Sequence, residues 1–234
     1  MTKYIRMAFC LAGLGAFLGL SLFARKFDEL PNSEHIEPLL TSNRPPFMAP
    51  VGCANVALNK KVTASTNGDF GGSLEQITDG IKGYEQDQKV TFGRWIKWIQ
   101  IDLEQPRELY AIAIWRDFAD PFKIYRGMIV QAADDPNFTT NVRTLFNNDW
   151  ENLNGLGKGT DLEYAETFEG KLIDAHGIKA RYLRFYCQGN HSDKYNDYTE
   201  IETWGLPVSE KDSTNSPPRQ LAPLPIKLPQ APVI

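Results

Sequence analysis

After residue 27, no stretch of this chain sustains a helical period, and short alternating segments take its place. Lys97-Trp-Ile-Gln-Ile-Asp-Leu103 sets Ile99, Ile101 and Leu103 on one face. Leu109-Tyr-Ala-Ile-Ala-Ile-Trp115 is apolar on both faces and reads as a central strand. Met128–Ala132, Arg143–Phe146 and Arg181–Cys187 are rich in strand-forming residues. Proline is frequent near both ends, but between residues 51 and 206 it falls to Pro106, Pro121 and Pro136. Many short strands parted by turn residues predict an all-β fold, a β-sandwich. A domain of about 150 residues buries a sizeable core without staples.

The ends are different in kind. Lys3 and Arg6 precede an uncharged run, Met7 to Ala24, closed by Arg25 and Lys26. A cleaved signal peptide needs a small-x-small site, and Leu22 stands two before Ala24. A run of about 18 apolar residues just reaches bilayer length. Residues 1–26 are therefore expected to hold a retained transmembrane helix, with residues 7–24 in the lipid bilayer; a cleaved signal segment is the other reading. Positive charge flanks the run on both sides, so charge alone fixes no orientation; the rest of the chain is expected outside the cytoplasm, in the periplasm if the cell is Gram-negative. Residues 27–50 read as a spacer, since Pro31, Pro38, Pro45, Pro46 and Pro50 deny it helix continuity. Residues 207–234 form a second proline-rich segment, also carrying Leu221, Leu224, Ile226 and Leu228. Extended backbone with spaced apolar side chains suits a strap that lies on a partner. An unattached end is the alternative.

Charge narrows the partners. The formal net charge is −4. Lys171, Lys179, Arg181 and Arg184 are the nearest thing to a basic stripe, and strand alternation splits them between faces, so no nucleic-acid partner is expected. Of the three histidines, His35 lies in the spacer, His176 in a turn and His191 in a loop, none with a nucleophile signature. No enzyme is expected. Gly155-Leu-Gly-Lys-Gly159 lacks the ending and helix of a phosphate loop, and its glycines suit turns. Asn147–Asn154 is rich in oxygen ligands without the spacing of a calcium loop. Turn capping is its first reading and a metal its second.

Four segments occur in order across residues 51–206: Asn55–Ser65, Ile77-Thr-Asp-Gly80, Ala180-Arg-Tyr-Leu-Arg-Phe-Tyr186 and Tyr198-Thr-Glu-Ile-Glu-Thr-Trp-Gly205. Together they resemble the opening and closing strands of a discoidin domain, the factor V/VIII type C domain. Its bacterial relatives are family-32 carbohydrate-binding modules. The resemblance implies a galactose-binding-like jelly-roll β-sandwich that docks ligands without catalysis. It implies a ligand platform on loops at one end, here from Arg116, Phe118, Arg126, His191 and Tyr195, where an aromatic ring stacks on a sugar. It implies a structural calcium between Asp79 and Glu200, helped by backbone oxygens near Ile81 and Thr91. Ile81 and Lys82 stand where the family often has oxygen-bearing side chains. It also brings the terminal strands together, so Cys53 and Cys187 are expected to form a disulfide; two buried thiols are the alternative. No other cofactor is expected. The function expected is that of a membrane-anchored accessory or scaffolding subunit, docking membrane protein subunits through its domain and tail. The alternative is a carbohydrate-binding module for cell-surface or matrix glycan.

Overall fold

The computed structural model describes residues 34–38, 43–66, 70–83, 86–94, 97–118, 123–208 and 219–230. The span expected at residues 7–24 lies outside them. No helix among the described residues is long and apolar enough to cross a membrane. Residues His35–Pro232 make one compact unit.

The described chain is built of strands, with helical turns of 3-10 type at Leu74–Thr78 and Gln86–Gln88. The strands are β1 (Met48–Pro50), β2 (Ala54–Asn55), β3 (Val62–Ala64), β4 (Phe70–Gly71), β5 (Val90–Phe92), β6 (Lys97–Trp115), β7 (Ile129–Ala133), β8 (Arg143–Asn147), β9 (Lys171–Cys187), β10 (Asn196–Tyr198), β11 (Glu200–Pro207) and β12 (Leu221–Pro223).

Two long strands make the frame. β6 and β9 pair antiparallel from Lys97 with Cys187 to Ile114 with Lys171, and their register slips between Asp102 and Arg107 and again between Leu109 and Ala111. Glu104, in the first slip, has φ of 67°. The ribbon bends there, so one hydrogen-bonded sheet supplies two layers. The half near Lys97 carries β3, β7 and β8. The half near Trp115 carries β11 and β2. Ile99, Ile101, Leu183, Phe185 and Val130 from the first half meet Leu109, Ile112, Ile114, Ile173 and Ile201 from the second in a single buried cluster. Each such side chain is worth about 1.5–3 kcal/mol on burial. The sequence reads Lys97–Leu103 and Leu109–Trp115 as separate strands. They are one, because Pro106 sits in the slipped stretch, where its missing N–H costs no ladder bond. β4, β5 and β10 form a small sheet of their own.

The outer face near Trp115 is also apolar. Ala113, Trp115 and Phe118 form a second buried cluster, covered by Phe168, Leu172 and Ile226. Of the three, Ile226 comes from the segment read as a tail, which pairs with the segment read as a spacer. β1 pairs with β12, Met48 opposite Pro223, and Leu224 N donates to Phe47 O at 2.9 Å. Arg44 clamps the turn before β9, donating to Gly170 O at 2.9 Å and Glu169 O at 3.1 Å. The tail is thus engaged by its own domain rather than held out for a partner. The second cluster needs apolar cover, and Ile226 supplies it. Leu221 and Leu228 stay exposed.

The expected disulfide is absent, and Cys53 and Cys187 are both free. Cys187 lies at one end of β9, its Sγ 3.4 Å from Gly189 N. Cys53 is near Glu108 and Arg219, and Glu108 pairs with Lys179. The Lys179–Cys187 run of β9 spans about 25 Å, beyond any disulfide.

Candidate functional site

The β6–β9 ribbon brings both of its ends to one side of the sandwich, and the β6–β7, β8–β9 and β9–β10 loops meet there. Their floor is a buried polar core. Arg116 is fully buried, with its guanidinium 4.4 Å from the Tyr125 ring centre and 4.2 Å from that of Tyr198. It donates to Tyr198 Oη at 3.0 Å and to Asp197 O at 3.3 Å. Tyr125 Oη donates to Asp197 Oδ2 at 3.0 Å, and Thr91 Oγ1 to Asp197 Oδ1 at 2.8 Å. A buried guanidinium is tolerable only with partners of this kind.

Over this floor lies the β9–β10 loop. Asn190 organises it: its Oδ1 accepts from Ser192 N and Asp193 N, both at 2.9 Å, and its Nδ2 donates to Tyr195 O at 3.0 Å. A side-chain amide that satisfies loop backbone in this way rigidifies the turn. His191 closes onto the β6–β7 loop: its N donates to Ile124 O at 2.9 Å, and its Nδ1 accepts from Ile124 N at 3.1 Å. With Nδ1 accepting, Nε2 is the ring's donor in the neutral form. Tyr195 stands at the tip, 39% exposed, with the exposed Arg94 guanidinium 5.5 Å from its ring centre.

Beside it sits a chain of charges. Lys123 Nζ lies 2.9 Å from both Asp117 Oδ2 and Asp193 Oδ2, and Lys89 Nζ lies 2.7 Å from Asp117 Oδ2. Burial pushes the Asp117 carboxyl up, but bonds from Lys89 and Lys123 win and hold it below the usual range. Burial likewise works against the Lys123 ammonium, and Asp193 and Asp117 raise it instead. Asp117, Asp193 and Lys123 are thereby favoured in their charged forms.

A second exposed aromatic lies on the β8–β9 loop. Trp150, 43% exposed, stacks on His35 with ring centres 4.7 Å apart and 12° between planes. It hydrogen bonds the Glu163 carboxylate. Arg126 Nε stands 3.6 Å from Glu163 Oε2. Burial, the largest effect, raises the Glu163 carboxyl against the pull of Arg126.

Of the platform residues expected from sequence, His191 and Tyr195 share one braced loop. Arg126 flanks it, its N donating to Gly189 O at 3.0 Å. Arg116 and Phe118 are corrections: both are buried, Arg116 between two tyrosines and Phe118 in the second cluster. Neither offers a face to a ligand. Arg94, Lys123 and Trp150 were not foreseen. The signal for Arg94 was its place in a polar turn between strands. The signal for Trp150 was a large apolar side chain among turn-forming asparagines.

The residues at the implied calcium site do not fit a calcium ion, which wants six to eight oxygens at about 2.3–2.6 Å. Asp79 Oδ1 accepts from Ile81 N at 2.8 Å, capping its own turn. Glu200 Oε2 accepts from Gly80 N at 3.1 Å. Glu200 Oε1 is buried without a partner. Burial, reinforced by Asp79 and Glu202, pushes the Glu200 carboxyl up to about 9. Among the described residues no group of three or more His, Cys, Asp or Glu is placed to hold a metal. Lys82 brings an ammonium to Glu202, two residues along β11, and its charge acts on the Glu200 carboxyl in the lowering direction.

No protein-family model matches the chain, and no curated protein matches it. Solved structures of carbohydrate-binding modules resemble it, as the sequence motifs do. Chitosan-binding module 1 from a chitosanase/glucanase of Paenibacillus sp. IK-5 has 18% identity over 65% of this chain and 99% of that one, with a TM-score of 0.45. A fucose binding module of Streptococcus pneumoniae has 15% identity over 66% and 96%, with a TM-score of 0.46. CpGH89CBM32-4 of Clostridium perfringens, in complex with GlcNAc-alpha-1,4-galactose, has 17% identity over 67% and 96%, with a TM-score of 0.44. Likeness of this degree carries no argument about what the present chain binds.

Proposed function

We propose that this protein is a non-catalytic glycan-binding domain that takes its ligand at the β9–β10 loop. The observation that carries the reading is the exposed Tyr195 ring on a loop prebraced by Asn190, with Arg94, His191 and the Lys123 charge group around it. An aromatic face offers apolar area at little conformational cost, and neighbouring donors and acceptors supply orientation. Preorganised loops avoid the ordering cost that weakens binding. The carboxylates nearest the ring are committed to lysines and held ionised, which suits recognition better than proton transfer.

The domain is displayed outside the cytoplasm on a tether formed by residues 7–24. That part of the reading rests on the length of the uncharged run. Alkaline carbonate extraction of full-length protein tests it: the tether keeps the protein in the membrane pellet, and release into the supernatant refutes it. Docking to a membrane assembly through the tail is the weaker reading, because Ile226 is already placed on Ala113, Trp115 and Phe118.

Glycan-array binding of wild type and Tyr195→Ala tests the ligand site. Binding lost with the ring supports it. Binding that survives Tyr195→Ala and disappears in Trp150→Ala moves the site to the β8–β9 loop.

A further inference from the structure

Lys82 follows the Asp79-Gly80 turn and runs inward. Its side chain is 7% exposed, and Nζ lies 2.5 Å from Glu202 Oε1. The same ammonium donates to Lys227 O at 2.8 Å and sits 4.4 Å from the Trp115 ring centre. The partner carboxylate is itself anchored, with Trp204 Nε1 donating to Glu202 Oε2 at 3.1 Å.

These contacts come from four places in the chain. Glu202 belongs to β11, Trp115 ends β6, Lys227 lies on the segment after β12, and Lys82 follows the Asp-Gly turn. A buried ammonium without partners is strongly unfavourable. Here it has a carboxylate, a carbonyl and an aromatic face, which fits its three donors and its charge. The Lys227 carbonyl is supplied by the C-terminal strap, whose Ile226 packs on the cluster that contains the Trp115 ring covered by Lys82. Removing the strap would strip the ammonium of one partner and uncover Trp115 together.

We infer that the Lys82 ammonium serves as a tethered cation in place of the calcium implied between Asp79 and Glu200, and that it latches the C-terminal strap to the sandwich. A divalent ion between Asp79 and Glu200 would lie within electrostatic reach of the fixed positive charge that Lys82 holds on Glu202, and in a partly buried site that repulsion disfavours it. The chain thus neutralises β11's carboxylate end from within. It gains a strap contact that a metal ion would not give.

The test uses the full chain. Thermal unfolding of wild type is measured with millimolar calcium chloride and with EDTA, and exchange of the Leu224 amide, which donates to Phe47 O, is measured in wild type and Lys82→Met. The midpoint of wild type is expected to agree within 1 °C between the two conditions. Leu224 is expected to exchange at least tenfold faster in Lys82→Met. A saturable rise of several degrees on adding calcium to wild type would overturn the tethered cation. Unchanged Leu224 exchange in Lys82→Met would overturn the latch. If Lys82→Met does not fold, the calcium comparison on wild type still decides the first claim, and Leu224 exchange in Lys82→Arg decides the second. The longer, branched guanidinium cannot reproduce the Glu202, Lys227 and Trp115 contacts together, so the latch predicts faster exchange there and is refuted by wild-type protection.

Discussion

Lys123 Nζ bonds Asp193 Oδ2 at 2.9 Å, tying the loop before β7 to the loop before β10. The same ammonium bonds Asp117 Oδ2 at 2.9 Å, so one side chain both closes the β6–β7 loop on itself and joins it to the β9–β10 loop. Lys123→Met removes that charge and leaves the Asp117 carboxylate with Lys89 alone. Stability is expected to fall by about 2–4 kcal/mol, with glycan affinity falling as the Tyr195 loop loses its brace. Urea unfolding measures the first and calorimetric titration the second. A variant as stable as wild type would show that Lys123 is not structural.

Glu166 gives a pH dependence whose sign can be worked out. Burial pushes its carboxyl up to about 8 from a usual 4.5, against the opposing Arg116 guanidinium and backbone N–H, and neither oxygen has a partner of good geometry. The folded state keeps a proton that the unfolded chain releases above 4.5. Its contribution is therefore fully present below 4.5 and is lost as pH rises through about 8. Glu166→Gln, which cannot ionise, is expected to stabilise the protein at pH 9 by on the order of 3 kcal/mol and to change little at pH 4–5. Urea midpoints at the two pH values measure this. An equal shift at both would show that Glu166 is not titrating.

The thiols should report their separation. Cys53 is partly buried, and Cys187 is fully buried beside Gly189. Burial pushes both thiols up, which slows their reaction. Non-reducing peptide maps are expected to show no Cys53–Cys187 link. Alkylation is expected at Cys53 in the native protein and at Cys187 after denaturation. A linked peptide in high yield would contradict the placement of the two strand ends.

Some of this was legible in the chain and some was not. Leu109–Trp115 is apolar on both faces, and it is a central strand covered on both sides. His191 and Tyr195 sit in a stretch too polar for a strand, and they lie on a loop. The continuity of β6 was hidden by Pro106, because proline forbids a ladder bond only where one is made. Arg116 was misread because its burial depends on Tyr125 and Tyr198, and Tyr198 is far along the chain. Arg94 reaches Tyr195 only once β5 and β10 pair. The β1–β12 pairing joins two three-residue strands, each containing proline, so neither shows a periodic pattern. Local pattern reports what a segment can pair with or bury, while the partners themselves come from the topology.

The central claim is that Tyr195 and its braced loop bind sugar without catalysis. Its most direct test is calorimetric titration of wild type and Tyr195→Ala with the best glycan from an array, alongside thermal unfolding of both. Tyr195 is exposed, so the substitution is expected to change stability by no more than about 0.5 kcal/mol. Affinity is expected to fall at least tenfold, about 1.4 kcal/mol. Equal affinity in the two proteins, both folded, would contradict the account.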